Sequence, residues 1–280
     1  MGGSDPEPVQ AIEEKGKESF WYDKNIDREI TPEFREFIKT YSGIPDEKIL
    51  EHVYEVREKA WVIRAYPCTG QGQFLNPLIV RSPAYGEIVE RLKKGERLLE
   101  IGCFIGHDLR RLVHDGAPSA NLYAADIVSH WDVGYTMFND RSRFHATFIE
   151  TDILSPSPSF NALSSSVDII WASKVLHQWD WATQLVALRS LIALSKPGTM
   201  VVGFHAGYVK ADFLEDYKVW LHDEESWRKI WEEVGRETGT RWNAGQVSLR
   251  GFDELGISLD SVAYLGDKCR MLEFVVRRID

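Results

Sequence analysis

The stretch Leu98-Leu99-Glu100-Ile101-Gly102-Cys103-Phe104-Ile105-Gly106-His107-Asp108 joins an apolar run, an acid and two glycines four positions apart. It reads as a buried strand entering a tight turn and then a helix. Glycine lets the backbone approach a ligand because no Cβ stands in the way. In open α/β sheets, ligands sit outside the carboxyl ends of the strands. Asp126 lies 24 residues beyond Gly102 and ends the apolar run Leu122–Asp126. A carboxylate there can accept hydrogen bonds from both hydroxyls of a ribose. Asp152, in Thr151-Asp152-Ile153, follows a third run and could receive an adenine amino group. Each aspartate could instead cap a helix. Three acids at the ends of successive strands are harder to explain that way.

Two ligand classes compete for such a turn. A dinucleotide site would show Gly-x-Gly-x-x-Gly cradling a pyrophosphate, but Phe104 stands at the middle position and the spacing does not match. S-adenosyl-L-methionine (SAM) carries no phosphate, and Glu100 suits its cationic methionine end. A nicotinamide oxidoreductase is therefore disfavoured. Beyond the fourth strand, His177 is the candidate catalytic residue, as a base or a hydrogen-bonding partner of the substrate, with a structural role as the alternative. His205, after the fifth strand, is a weaker candidate on the substrate side. Trp179 and Trp181 could roof an apolar substrate or pack against the next helix.

The elements that must position these residues follow from periodicity. Thr31-Pro32-Glu33 reads as an N-cap, a proline at the first helical position and an acid in the first turn. Phe34, Phe37, Ile38 and Tyr41 continue that helix to Gly43. A second helix from about Pro45 carries Ile49, Val53, Val56 and Ala60 on one face, and residues 66–82 read as a loop. From about residue 86, strands alternate with helical patterns. The expected strands are 98–101, 122–126, 144–151, 167–171 and 199–204, with a final pair near 247–249 and 270–277. Leu109, Leu112 and Val113 mark one helix, Leu185, Leu188 and Ile192 another. Trp227, Ile230, Trp231 and Val234 mark a third, stopped by Gly235. Alternating strands and helices imply βαβ units and a parallel sheet covered on both faces.

Composition excludes several classes. The net charge is −10, from 33 basic and 43 acidic residues, and no basic stripe offers itself to a nucleic acid. No run approaches the roughly 20 apolar residues of a membrane span, and no signal peptide is expected. Cys68, Cys103 and Cys269 are far apart and odd in number, so neither a disulfide framework nor a metal site is expected; a reducing cytoplasm fits. Residues 1–18 are expected to be disordered. Residues 19–82 form an N-terminal helical lid, in which Phe20, Trp21 and Tyr22 could fold over the cofactor with Tyr22 as its contact, or else form a dimer arm. Residues 83–280 form the cofactor-binding domain.

Taken together, Glu100-x-Gly102-x-x-x-Gly106, Asp126, Asp152, the run from Val167 to Trp179 and Leu194-Ser195-Lys196-Pro197-Gly198-Thr199 resemble the motifs of class I SAM-dependent methyltransferases. Phe104 departs from the usual middle glycine. The resemblance implies a Rossmann-like α/β fold with a mostly parallel seven-stranded sheet, helices on both faces and an N-terminal helical extension. Asp23-Lys24-Asn25-Ile26, the run Ile30–Arg35, Tyr41-Ser42-Gly43-Ile44-Pro45 and the run Arg143–Ile153 are similar to fungal methyltransferases of meroterpenoid pathways, a group that includes carboxyl O-methyltransferases. That match implies that Asp126-Ile127 and Asp152-Ile153 contact SAM, and that a small secondary metabolite is methylated on oxygen, at a carboxylate. The alternatives are a cyclase or isomerase on the same fold and a non-catalytic partner subunit that retains SAM. A homodimer is compatible with all three.

Overall fold

A computed structural model describes residues 21–262 and 265–280. The expected disorder of residues 1–18 and the role given to Phe20 lie outside the described residues. The chain divides into two compact units. One takes the described residues up to Pro77 together with His130–Arg143; the other takes Leu78–Ser129 and Phe144–Asp280.

In the first unit the capping signals act as expected. The Thr31 side chain accepts the Phe34 N–H at 3.1 Å and starts helix Pro32–Phe37. A π-helical turn, Ile38–Ser42, prolongs it to Gly43, whose φ of 69° ends it. Helix Asp46–Ile63 buries Ile49, Val53, Val56 and Ala60. Helix Trp131–Phe138 belongs to this unit too, although its short pattern gave no signal of that. His52 Nε2 meets the Met137 carbonyl at 3.0 Å, and Phe138 packs on Phe37 with ring centroids 5.9 Å apart. Tyr22 lies on helix Asp46–Ile63. Its hydroxyl donates to Glu58 and accepts from Arg57 at 2.9 Å, and its ring meets Trp61 edge-on at 4.9 Å. Residues 66–82, expected as a plain loop, carry short helical turns at Pro67–Gly70 and Gln73–Leu75 in this unit and at Leu78–Arg81 in the second.

The second unit is built on a seven-stranded sheet. In chain order its strands, with a separate hairpin, are β1 (Leu98–Ile101), β2 (Leu122–Asp126), β3 (Thr147–Glu150), β4 (Val167–Ala172), β5 (Ser195–Tyr208), the hairpin β6 (Asp212–Leu214) and β7 (Val219–Leu221), then β8 (Trp242–Arg250) and β9 (Cys269–Arg278). The sheet order is β3-β2-β1-β4-β5-β9-β8. Strands β1 to β5 pair in parallel, and β9 enters antiparallel between β5 and β8. Because successive side chains point to opposite faces, Leu99, Ile101, Ile170, Ala172 and Val201 share one core with helices Trp181–Leu194 and Glu224–Thr238. On the opposite face Trp171 donates its indole N–H to Asp108, on helix His107–His114, at 2.9 Å.

Two boundaries differ from the sequence reading for physical reasons. Pro197-Gly198 does not precede β5 but lies inside it: Gly198 takes a φ of 84° and the register against β4 shifts there, so the pair forms a bulge. Gly235 does not end its helix, which runs on to Gly239 at φ 69°. Glycine is required at 235 because a Cβ would stand 2.7 Å from the Thr240 carbonyl oxygen.

Candidate active site

The turn leaving β1 is held by backbone geometry. Gly102 has a φ of 68°, and a Cβ there would lie 2.6 Å from a Val175 methyl, so both conformation and space demand glycine. Gly106, at φ 67°, is the N-cap of helix His107–His114. Phe104 takes the left-handed conformation at φ 50° even though it carries a side chain. This costs roughly 1–2 kcal/mol, and two observations offset it: the ring is buried, and the Phe104 N–H donates to Asp126 Oδ2 at 2.8 Å. The departure from the usual glycine thus leaves a left-handed turn in place.

Register carries the acids to one edge. Ile101 pairs with Ala125 and Asp126 with Glu150, while Thr151 N–H donates to the Asp126 carbonyl at 2.8 Å. The ends of β1, β2 and β3, with Glu100, Asp126 and Asp152, therefore lie side by side. Besides Phe104, Asp126 receives the Val128 N–H at 3.3 Å. Asp152 receives the Leu154 N–H at 2.8 Å, so one of its oxygens braces its own turn as the capping alternative foresaw. Ile127 is 49% exposed, a large apolar side chain open to a ligand, whereas Ile153 is buried.

Glu100 is 2% exposed, and its Oε2 has no hydrogen-bond partner among the described residues. Burial, reinforced by the charges of Asp108 and Asp126, raises its pKa well above the usual carboxylate range, and Arg110 opposes this. An acid held neutral in this way regains its charge when a cation is placed beside it, so the site favours a cationic ligand. Asp108 is committed elsewhere, accepting from Ile79 N–H at 3.1 Å and from Trp171. Arg110 is fixed by the Ile105 carbonyl at 2.6 Å and the Phe144 ring.

The exits of β4 and β5 have a different character. His177 is half-buried, and its Nδ1 has no partner among the described residues; desolvation, and then the Lys174 cation, hold its pKa down to about 4. His205, expected after the fifth strand, lies inside β5 opposite Leu272; it is buried, neither ring nitrogen has a hydrogen-bond partner among the described residues, and its ring lies 5.9 Å from His177, 4.8 Å from Phe274 and, edge-on, 5.6 Å from Trp227. Its pKa is depressed by burial and by the neighbouring His177 and His222. Trp179 packs against the core. Trp181 meets Trp220 edge-on at 5.5 Å and donates to Glu233 at 2.9 Å. The sequence reading missed Lys174 and the hairpin β6–β7. Lys174 adopts a left-handed φ of 57° and donates its N–H to the Phe204 carbonyl at 2.7 Å, tying the β4 exit to β5. Nothing in its sequence neighbourhood signals that conformation.

Residues 21–75 match the family described as the meroterpenoid methyltransferase N-terminal domain. The O-methyltransferase atr3 of Stereocaulon alpinum is 36% identical over 255 residues, covering 87% of this chain and 73% of that protein. The O-methyltransferase phiE of a fungal species is 31% identical, covering 99% and 98%. The Asnovolin E/Chermesin D methyltransferase nvfJ of Aspergillus novofumigatus is 37% identical, covering 79% and 82%. Among solved structures, a putative sarcosine dimethylglycine methyltransferase from Galdieria sulphuraria superposes with a TM-score of 0.52 at 13% identity, over 77% of this chain and 89% of that one. The [4+2]-cyclase SpnF superposes with a TM-score of 0.50 at 14% identity, over 69% and 80%. At such identities the structural likeness concerns the fold.

Proposed function

The chain belongs to the family of fungal meroterpenoid O-methyltransferases, and from that premise we propose that it methylates a carboxylate oxygen of a small polyketide or meroterpenoid acid. Its cofactor is SAM, which supplies a methyl group on a cationic sulfur. The residues fit that group. The orphaned Oε2 of Glu100 can take the methionine ammonium, Asp126 the ribose hydroxyls, and Asp152 the adenine amino group. Ile127 offers apolar surface to the adenine ring, whereas Ile153 is packed in the core. Gly102 and Gly106 keep side chains out of the approach.

The observation that carries the carboxylate assignment is the environment of His177. Held neutral with a pKa near 4, it is a poor base for a phenol, whose pKa is about 10. A carboxylate is already ionised near neutral pH and leaves no proton to be moved. Neutral His177 then acts as a hydrogen-bond donor that orients the acid, and Trp179 and His205 shape the apolar side. Alignment and exclusion of water are the main tasks left to the protein. We place the protein in the cytoplasm, where its three free thiols stay reduced.

Calorimetric titration with SAM, S-adenosylhomocysteine and NADPH, followed by a methyl-transfer screen of aromatic acids, their esters and phenols, tests this reading. We expect both adenosyl ligands but not NADPH to bind, and acids alone to be methylated. Methylation of phenols in preference to acids would overturn the acceptor assignment. Adenosyl binding without transfer to any acceptor would favour the cyclase reading.

A further inference from the structure

Lys174 stands two residues beyond the end of β4 with a φ of 57°, a left-handed conformation that is unfavourable for any residue with a Cβ. Such backbone persists where the surroundings fix it, and it gathers at ligand sites. Here the surroundings do fix it. The Lys174 N–H donates to the Phe204 carbonyl at 2.7 Å, and its own carbonyl accepts from Gln178 Nε2 at 3.2 Å. Both backbone polar groups thus serve to hold the residue in place, and the side chain is what the turn presents.

The place is a seam between two sites. Parallel register sets Ala172 beside Ile101, so the chain leaving β4 runs alongside the glycine turn that leaves β1. Val175 closes on that turn, with a methyl 2.6 Å from where a Gly102 Cβ would stand. His177 follows two residues later. Lys174 therefore lies between the turn assigned to SAM and the imidazole assigned to the acceptor. Gly102 is exposed, and Lys174, His107 and His177 are half-buried, so this seam is open to a ligand.

The charges along the seam select the sign of the group that would sit there. Burial is the main cause that holds His107 and His177 neutral, and the Lys174 cation is near enough to add to it in both, although Asp108 opposes the shift at His107. Asp108 Oδ2 lies 3.9 Å from His107 Nε2, and its two oxygens already accept from the Ile79 N–H and the Trp171 indole. The acidic pocket at Glu100 has its own opposing cation, Arg110. An acidic pocket and a cationic seam thus lie side by side, the first suited to an ammonium and the second to a carboxylate flanked by two imidazoles that can donate hydrogen bonds.

We propose that Lys174 binds a ligand carboxylate at this seam, between the glycine turn and His177. The proposal rests on the methyl-transfer reading above, in which both ligands carry that group. The carboxylate has two sources, the methionine end of SAM and the methyl acceptor.

Lys174→Met removes the charge and leaves the backbone demand unchanged. Calorimetry on the full chain compares S-adenosylhomocysteine with 5′-methylthioadenosine, which lacks the amino-acid end. With S-adenosylhomocysteine saturating, it then compares 2-naphthoate with methyl 2-naphthoate. If the seam holds the methionine carboxylate, the variant binds S-adenosylhomocysteine about tenfold more weakly and methylthioadenosine as wild type does. If it holds the acceptor, the variant binds 2-naphthoate about tenfold more weakly, with the ester and both adenosyl ligands unchanged. Either result supports the proposal. Unchanged affinity for both carboxylates would overturn it. So would an equal loss for the ligands with and without a carboxylate, which marks a structural role. In that event, methylthioadenosine binding by wild type leaves the cofactor assignment standing. Failure of wild type to bind either adenosyl ligand would remove that assignment and this proposal together.

Discussion

The exits of β1 and β2 and the exits of β4 and β5 share one edge of the sheet but are built from opposite materials. On the first side, carboxylates are held by backbone N–H groups around left-handed turns at Gly102, Phe104 and Gly106. On the second, neutral imidazoles lie among indoles and a phenyl ring, and neither ring nitrogen of His205 has a hydrogen-bond partner among the described residues. Under the proposed assignment, the difference follows from what each side holds. A cofactor with fixed donors and acceptors is matched by backbone geometry, which tolerates little change. An acceptor with a variable carbon skeleton is matched by shape, which side chains supply and substitutions can remodel.

If the two sides are independent in this sense, the largest perturbation on the aromatic side should spare cofactor affinity. Trp227 is fully buried between His205, His222, Trp231 and Phe274. Trp227→Ala is expected to cost about 3–5 kcal/mol of stability, read from urea denaturation. In the protein that remains folded, the affinity for S-adenosylhomocysteine should match wild type. A parallel loss of affinity would show that the aromatic stack supports the glycine turn, and the comparison would fail.

The reciprocal perturbation is smaller. Asp126→Ala removes the acceptor for Phe104 N–H as well as the proposed ribose contact, and should weaken SAM binding by more than tenfold. Asp126→Asn keeps an oxygen for Phe104 and should fall between the two. Calorimetry on folded variants distinguishes them. Unchanged affinity in Asp126→Ala would remove this residue from the site.

The same contrast explains what could be read from the chain. Glu100, Gly102, Gly106 and Asp126 are legible because strand, turn and acid follow one another locally, and the register of parallel strands then brings their ends together. Phe104 was the exception in that motif, and only the structure shows that burial and the Asp126 bond let it adopt the left-handed turn. The aromatic side was legible only in part. Trp181 and His205 could be picked out by type, but their partners, Trp220, His222 and Phe274, come from a hairpin and from an antiparallel strand far along the chain. Three-residue strands such as β6 and β7 are too short for alternation to register. Helix Trp131–Phe138 was missed because its buried Trp131, Val133, Met137 and Phe138 are accompanied by Gly134, which weakens a helical reading.

The finest distinction between the sides lies in how stability responds to acid. His222 is buried between Gln184 and Ser226, and burial holds its pKa down to about 3, although Asp223 and the Ser226 backbone act in the opposite direction. Its pKa in the unfolded chain is about 6.5. Between those values the unfolded state binds a proton that the folded state refuses, so stability is fully present above about pH 6.5 and falls as the pH drops toward 3. This one group should remove about 0.7 kcal/mol between pH 7 and pH 6, steepening toward about 1.4 kcal/mol per unit below that. Glu100 acts in the opposite sense: its raised pKa means that the ligand-free cofactor side loses stability as the pH rises. Urea midpoints of wild type and His222→Asn at pH 7, 6 and 5 isolate the first contribution. A shallower acid slope in the variant would place that sensitivity in the aromatic side, and equal slopes would assign it elsewhere.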